Sequence, residues 1–209
     1  MNCRSGAHRL ARFLSTLEGF SVLPVNHGSY EHMGATITDT VLQAGLNYRT
    51  VVEPRVQALR QKYPGAKSTT GFLNTIAYEG LKTLLDWNHP EKPQRVLEMT
   101  YFFSNERIET EGDLRKWMSH PGNSQLLLGL RGVGPKTLDY LKLLIGIPSV
   151  AVDRHIRVVV QEAGLTYKRY ADVKEVVGIT AEILDVELGS LDRAIWSYMS
   201  TRKAAMAMA

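Results

Sequence analysis

A lysine in the first turn of a helix is electrostatically out of place, because the helix dipole there favours anions. Lys136 stands at such a point in the stretch LRGVGPKTLDYLKLLIGIPSVAVDRHI, Leu130 to Ile156. Ahead of it Gly132 and Gly134 flank Val133, and Pro135 sits where a helix begins. Glycine permits a tight turn and lets a ligand come close to the main chain. Proline at the first helical position preorganises the start. The amides that follow, at the positive end of the dipole, suit a phosphate oxygen. For the glycines alone, an ordinary helix–turn–helix connection capped by glycine is the more usual explanation. It does not explain Lys136, whose position calls for a phosphate contact or for chemistry.

Asp153 is the second constraint. It follows an apolar helix expected over 135–145 and the extended run PSVAV. Such a helix is roughly 16 Å long, and five extended residues are enough to bring the chain back alongside its start. An aspartate before RHIRVVV is also a good N-cap. The two roles are compatible, since a cap fixes the side chain while its other oxygen can serve an adjacent cleft.

Composition narrows the setting. The chain has 209 residues, 44% hydrophobic and 22% charged, enough for one large domain or two small lobes with a substantial core. A net charge of +4 is compatible with a polyanionic partner without implying one. A single cysteine, Cys3, excludes an internal disulfide framework and any four-cysteine zinc or iron–sulfur site. No apolar run is long enough to span a bilayer and no secretory leader is evident, so a cytoplasmic protein without membrane contact is expected.

The elements that must position these residues are helical. Leu10, Phe13, Leu14 and Leu17 share one face, closed by Gly19, and Ile37, Val41 and Leu42 share another, capped by Thr36 or Thr38. A third helix runs from about Thr50 to Tyr63, with Pro54 tolerable in its first turn. Helices are expected at 68–77, 80–87, 96–103 and 111–118, with NHPEKP as a break. After the hairpin come 135–145, 153–163, 171–184 and a last helix around 191–199. PSVAV is too short between helices to argue for a sheet. The expected fold class is all-α.

The segment LRGVGPKTLDYLKLLIGIPSVAVDRHIRVV resembles the helix-hairpin-helix plus Gly/Pro-aspartate region of the endonuclease III superfamily of DNA glycosylases. Its glycines, lysine, proline and aspartate match together with their spacings. Weaker similarity runs through TVLQAGLNYRTV, IAYEGLKTLL and LDRAIWSYMS, most of the chain from about residue 30. The resemblance implies a two-lobed helical fold with a DNA-binding cleft between the lobes. One lobe would be a six-helix unit of 27–147 ending in the hairpin; the other, 1–26 plus 148–209, would carry the catalytic aspartate.

It further implies that Lys136 is an amine nucleophile. Lys136 would attack C1′ of a damaged nucleotide, expel the base and form a Schiff base that permits β-elimination. A lysine attacks only when neutral, and a helix N-terminus with partial burial favours that form. Asp153 would assist deprotonation and stabilise positive charge on the sugar. Leu130, Arg131, Gly132, Val133, Gly134 and Thr137 would bind DNA through the hairpin, which in this family accommodates a monovalent cation. Arg154, Arg157, Lys168 and Arg169 cluster soon after the hairpin; a solvated face explains them equally well, and in a duplex-binding protein they are the natural phosphate neutralisers.

The implied activity is base excision from damaged double-stranded DNA with associated lyase activity, on an oxidised base, by a nucleoid-associated monomer that requires no cofactor. A monofunctional glycosylase and a non-catalytic DNA-binding protein are the alternatives. The sequence departs from the family pattern in three ways, one being that the glutamine some relatives push into the duplex is not evident near QAGLNY. It lacks the cluster-binding cysteines of the best-known members, so no iron–sulfur cluster is expected, and it has Pro135 where many hairpins carry a basic residue. Gln43, Leu46, Asn47 and Tyr48 are candidates for a side chain wedged into the duplex. KTLDY resembles a turn of the 8-oxoguanine glycosylases, so the target base stays open. His155 is expected to pack rather than bind metal, and Tyr101, Phe102 and Phe103 to form core or pocket wall.

Overall fold

The computed structural model describes residues 2–24 and 29–208, with side chains to residue 202. Twelve α-helices account for most of the described chain: α1 (Cys3–Thr16), α2 (Met33–Leu42), α3 (Glu53–Lys62), α4 (Thr69–Glu79), α5 (Leu81–Leu85), α6 (Glu91–Asn105), α7 (Glu111–Met118), α8 (Asn123–Leu128), α9 (Pro135–Leu144), α10 (Arg154–Glu162), α11 (Tyr170–Ile183) and α12 (Leu188–Met208). A π-helical turn spans Tyr48–Val52 and a 3-10 turn Pro64–Lys67. No strand occurs among the described residues, and PSVAV is an extended connection. The protein is all-α.

The chain divides into two compact units, Gly28–Ile147 and Met1–His27 with Pro148–Ala209. The expected division at residues 26 and 27 lies outside the described residues. In the unit Gly28–Ile147, Ile37, Leu42, Phe72, Met99, Phe103 and Leu114 build the core. In the other, Leu10 and Leu14 of α1 join Val159 and Val160 of α10, Val176 of α11 and Leu191 of α12. Several of the longer helices bury an apolar stripe of three- and four-residue spacing, as Leu10 and Leu14 do in α1, and that pattern identifies them in the sequence. No helix is long and apolar enough to cross a membrane.

Several elements differ from their expected form, among them α12, which runs over Leu188–Met208 against an expected 191–199. Neither Thr36 nor Thr38 caps α2; His32 does, its Nδ1 accepting from the Ala35 amide at 3.1 Å. All ten residues of α2 are buried, and Thr36 donates instead to the buried carboxylate of Glu111. Helix α6 starts at Glu91, ahead of the expected 96, because Pro93 falls in its first turn, where a missing amide costs no hydrogen bond. Helix α8 is too short for periodicity to mark it.

Candidate active site

The hairpin joins α8 to α9. Gly132 takes φ +81°, a left-handed angle that penalises any side chain. A Cβ there would also lie 2.7 Å from Cζ and Nε of Arg95, which packs against the turn from α6. Gly134 is different. Its φ is −102° and a Cβ would meet nothing within 4 Å, so neither conformation nor packing demands glycine.

Pro135 occupies the first position of α9 and Lys136 the second. Lys136 is half-buried and donates from Nζ to Oε1 of Gln43, at the end of α2. The Gln43 amide nitrogen donates in turn to the Thr40 carbonyl at 3.3 Å, which turns the amide oxygen toward the lysine. One turn along both helices a second link repeats the pairing: the Tyr140 hydroxyl donates to Oδ1 of Asp39 at 3.1 Å. Asp39 is fully buried and also accepts from Tyr30 at 2.7 Å, with the Tyr48 hydroxyl beside them. Burial pushes its carboxyl up to about 6 against the opposing effect of the tyrosine hydroxyls. The same burial, with Asp39 close by, raises Tyr30 and Tyr140 well above the ordinary phenol range.

A second lysine stands close to the first. Lys92 is the second residue of α6 and donates to the carbonyls of Val41 at 2.7 Å and Ala44 at 2.8 Å. Burial lowers its pKa to about 8; the charges of Arg95 and Lys136 add to the effect and Glu91 opposes it. Glu91 also accepts from Arg95 at 2.6 Å and lies 3.8 Å from Arg131. Arg95 Nε is buried without a hydrogen-bond partner. A shallow pocket lined by Arg95, Glu98, Arg131, Gly132 and Thr137 opens beside the hairpin.

Asp153 is half-buried and caps α10, Oδ1 accepting from the amides of His155 at 2.8 Å and Ile156 at 3.0 Å. The cap uses one carboxylate oxygen only. Arg154 is exposed, while Arg157 donates to the Lys168 carbonyl at 3.3 Å. Arg169 is committed to Asp172 through two short bonds.

In the hairpin, Arg131 is exposed and Leu130 packs on the core, whereas Val133 and Thr137 are buried. Of the wedge candidates, Gln43 is only 8% exposed and engaged by Lys136, Leu46 packs on the core and Tyr48 faces Tyr30. Asn47 is exposed and caps the π-helical turn. Phe103 is buried, and Phe102 packs edge-on against both Phe103 and Trp117. Among the described residues no three His, Cys, Asp or Glu side chains gather as a metal site.

Sequence reasoning missed Lys92, Arg95 and Asp39. Lys92 carries the same signal as Lys136, a cation in a first helical turn, hidden because NHPEKP reads as a break rather than a helix start. Asp39 is the one charged residue in TITDTVL, where Ile37, Val41 and Leu42 mark a buried helix, and a carboxylate buried there needs partners. Arg95 is recognisable only once Gly132 lies against it.

No curated protein matches the sequence. Residues 88–200 match a domain of unknown function, DUF8548, over a stretch containing the hairpin, Lys92, Lys136 and Asp153 but neither Asp39 nor Gln43. Because that stretch spans more than half of its 209 residues, the chain belongs to the DUF8548 family.

Proposed function

We propose that the protein is a base-excision DNA glycosylase with associated lyase activity, acting on an oxidised base through a Schiff base at Lys136. The observation that carries it is the setting of Lys136. It follows a glycine hairpin at the positive end of α9 and donates to a neutral amide oxygen, Gln43 Oε1. An amine so placed has phosphate-binding amides beside it and an acceptor that does not demand a charged donor.

In the reaction, the neutral Nζ lone pair forms a bond to C1′ as the bond from C1′ to the base breaks. The base leaves with that electron pair and takes a proton, and the nitrogen loses one. The sugar ring opens to a protonated Schiff base, which acidifies a C2′ hydrogen. Removal of that hydrogen expels the 3′ phosphate by β-elimination and nicks the strand. Asp153, with its second oxygen outside the cap, stabilises positive charge on the sugar. Arg131 and Arg154 neutralise phosphates, and the hairpin amides hold one phosphate with or without a monovalent cation. The two-lobed glycosylase fold with its DNA cleft, a monomeric state, a nucleoid location and freedom from any cofactor belong to the same proposal.

The test is strand nicking of a duplex with one abasic site. Wild-type protein should nick it, and Lys136→Ala should bind it without nicking. Affinity should fall steeply as salt rises, since phosphate contacts release counterions. Binding without nicking by the wild type would favour a monofunctional glycosylase or a non-catalytic DNA-binding protein. Affinity that ignores salt would count against all three.

A further inference from the structure

Resting on the role proposed for Lys136, we infer that Gln43 is a positioning residue for its amine: the amide oxygen orients Nζ, and Lys92 and the Asp39–Tyr140 bond hold the two helices that make the contact.

A neutral amine keeps one lone pair and can donate its hydrogens. Donation to a fixed acceptor therefore aims the lone pair away from that acceptor, toward whatever lies on its other side. Gln43 is a fixed acceptor. It is buried, its amide nitrogen is tied to the Thr40 carbonyl, and its backbone amide donates to the Asp39 carbonyl at 3.0 Å. Lys92 clasps the carbonyls of Val41 and Ala44, on either side of Gln43, and so closes the end of α2 where orphan carbonyls collect. Asp39 and Tyr140 pair one turn away, fixing the rotation of α2 against α9.

The choice of an amide matters chemically. A carboxylate at position 43 would pair with the ammonium form and hold Lys136 protonated, whereas an amide accepts from either form. Titratable groups near the pair include Lys92 from α6, Asp39 from α2, and Tyr140 and the buried Asp139, one turn beyond Lys136, from α9 itself. Lys92 brings a positive charge that disfavours a second ammonium nearby, and it is itself lowered by burial and neighbouring charge.

Two variants test the inference, Gln43→Glu and the similarly sized Gln43→Met. The first measurement needs no activity: a pH titration of the Lys136 Nζ and Cε signals in lysine-labelled protein, assigned with Lys136→Arg. Gln43→Glu should raise the Lys136 midpoint by on the order of one unit or more, and Gln43→Met should change its chemical shift and broaden it. A midpoint the same in wild type and Gln43→Glu overturns the inference, whatever the protein does to DNA. The second measurement is borohydride trapping on abasic duplex. Gln43→Met should bind the duplex as wild type does and trap more slowly, about tenfold for each 1.36 kcal/mol of lost orientation. Gln43→Glu should recover its rate as pH rises. Equal trapping rates in Gln43→Met and wild type would overturn positioning, while failure of the wild type to trap would overturn the proposed function and leave Gln43 to be judged by the titration.

Discussion

The two hairpin glycines should respond to alanine in opposite ways. At Gly132 the φ of +81° costs an L-residue roughly 1–2 kcal/mol. The added Cβ would also sit 2.7 Å from two atoms of the Arg95 guanidinium, well inside ordinary contact. Arg95 must then shift; the contact is with the far end of a flexible side chain, so the added cost is that of straining its 2.6 Å bond to Glu91, up to about 1 kcal/mol. Gly132→Ala should therefore destabilise by about 1–3 kcal/mol. In an Arg95→Ala background only the backbone part remains, so the penalty should fall to about 1–2 kcal/mol. Urea unfolding of the four proteins in that cycle measures the difference. A Gly132→Ala penalty equal in both backgrounds would refute the packing of Arg95 against the turn. Gly134→Ala is the control: it should leave stability within about 0.5 kcal/mol and weaken binding to abasic duplex, measured by fluorescence anisotropy.

Asp39 makes stability depend on pH with a definite sign. Its carboxyl titrates near 6 in the folded chain against 3.8 for the free group, so the native state holds the proton more tightly. That contribution is complete below about pH 4 and is lost as pH rises through 6, a decline of about 3 kcal/mol. Asp39→Asn should flatten the slope between pH 4 and 6 in urea unfolding; an unchanged slope would place the titrating group elsewhere. For Asp153, asparagine retains the cap on α10 and removes the charge. Asp153→Asn should keep the melting temperature within a few degrees and lose base excision by orders of magnitude, whereas Asp153→Ala should also lose about 1 kcal/mol of stability. Excision by Asp153→Asn at the wild-type rate would reduce Asp153 to a cap.

The helices could be read from the sequence where an apolar stripe meets polar positions. The α1 face of Leu10 and Leu14 and the α7 span Glu111–Met118 are of this kind. The stripe fails where a helix is buried all round. In α2 every residue faces protein, so no polar side marks its start and a histidine cap passes for part of a loop. It fails again at α6, where two prolines suggest a break although the second lies in a turn that tolerates it. Within the candidate site, the hairpin and the anomalous charge on Lys136 are local signals. The Gln43–Lys136 bond joins residues far apart in sequence and leaves no local trace. Gln43 looks like an exposed loop glutamine until α2 is packed against α9.

Lys92 makes the central claim open to a sharp test, because two lysines stand at the second positions of neighbouring helices and either could supply an amine. The protein should be trapped on abasic duplex with borohydride, digested, and the sugar adduct located by mass spectrometry. The adduct is predicted on Lys136, and it should vanish in Lys136→Ala while persisting in Lys92→Met. An adduct on Lys92 or any other lysine, or no adduct with the wild type, would contradict the account.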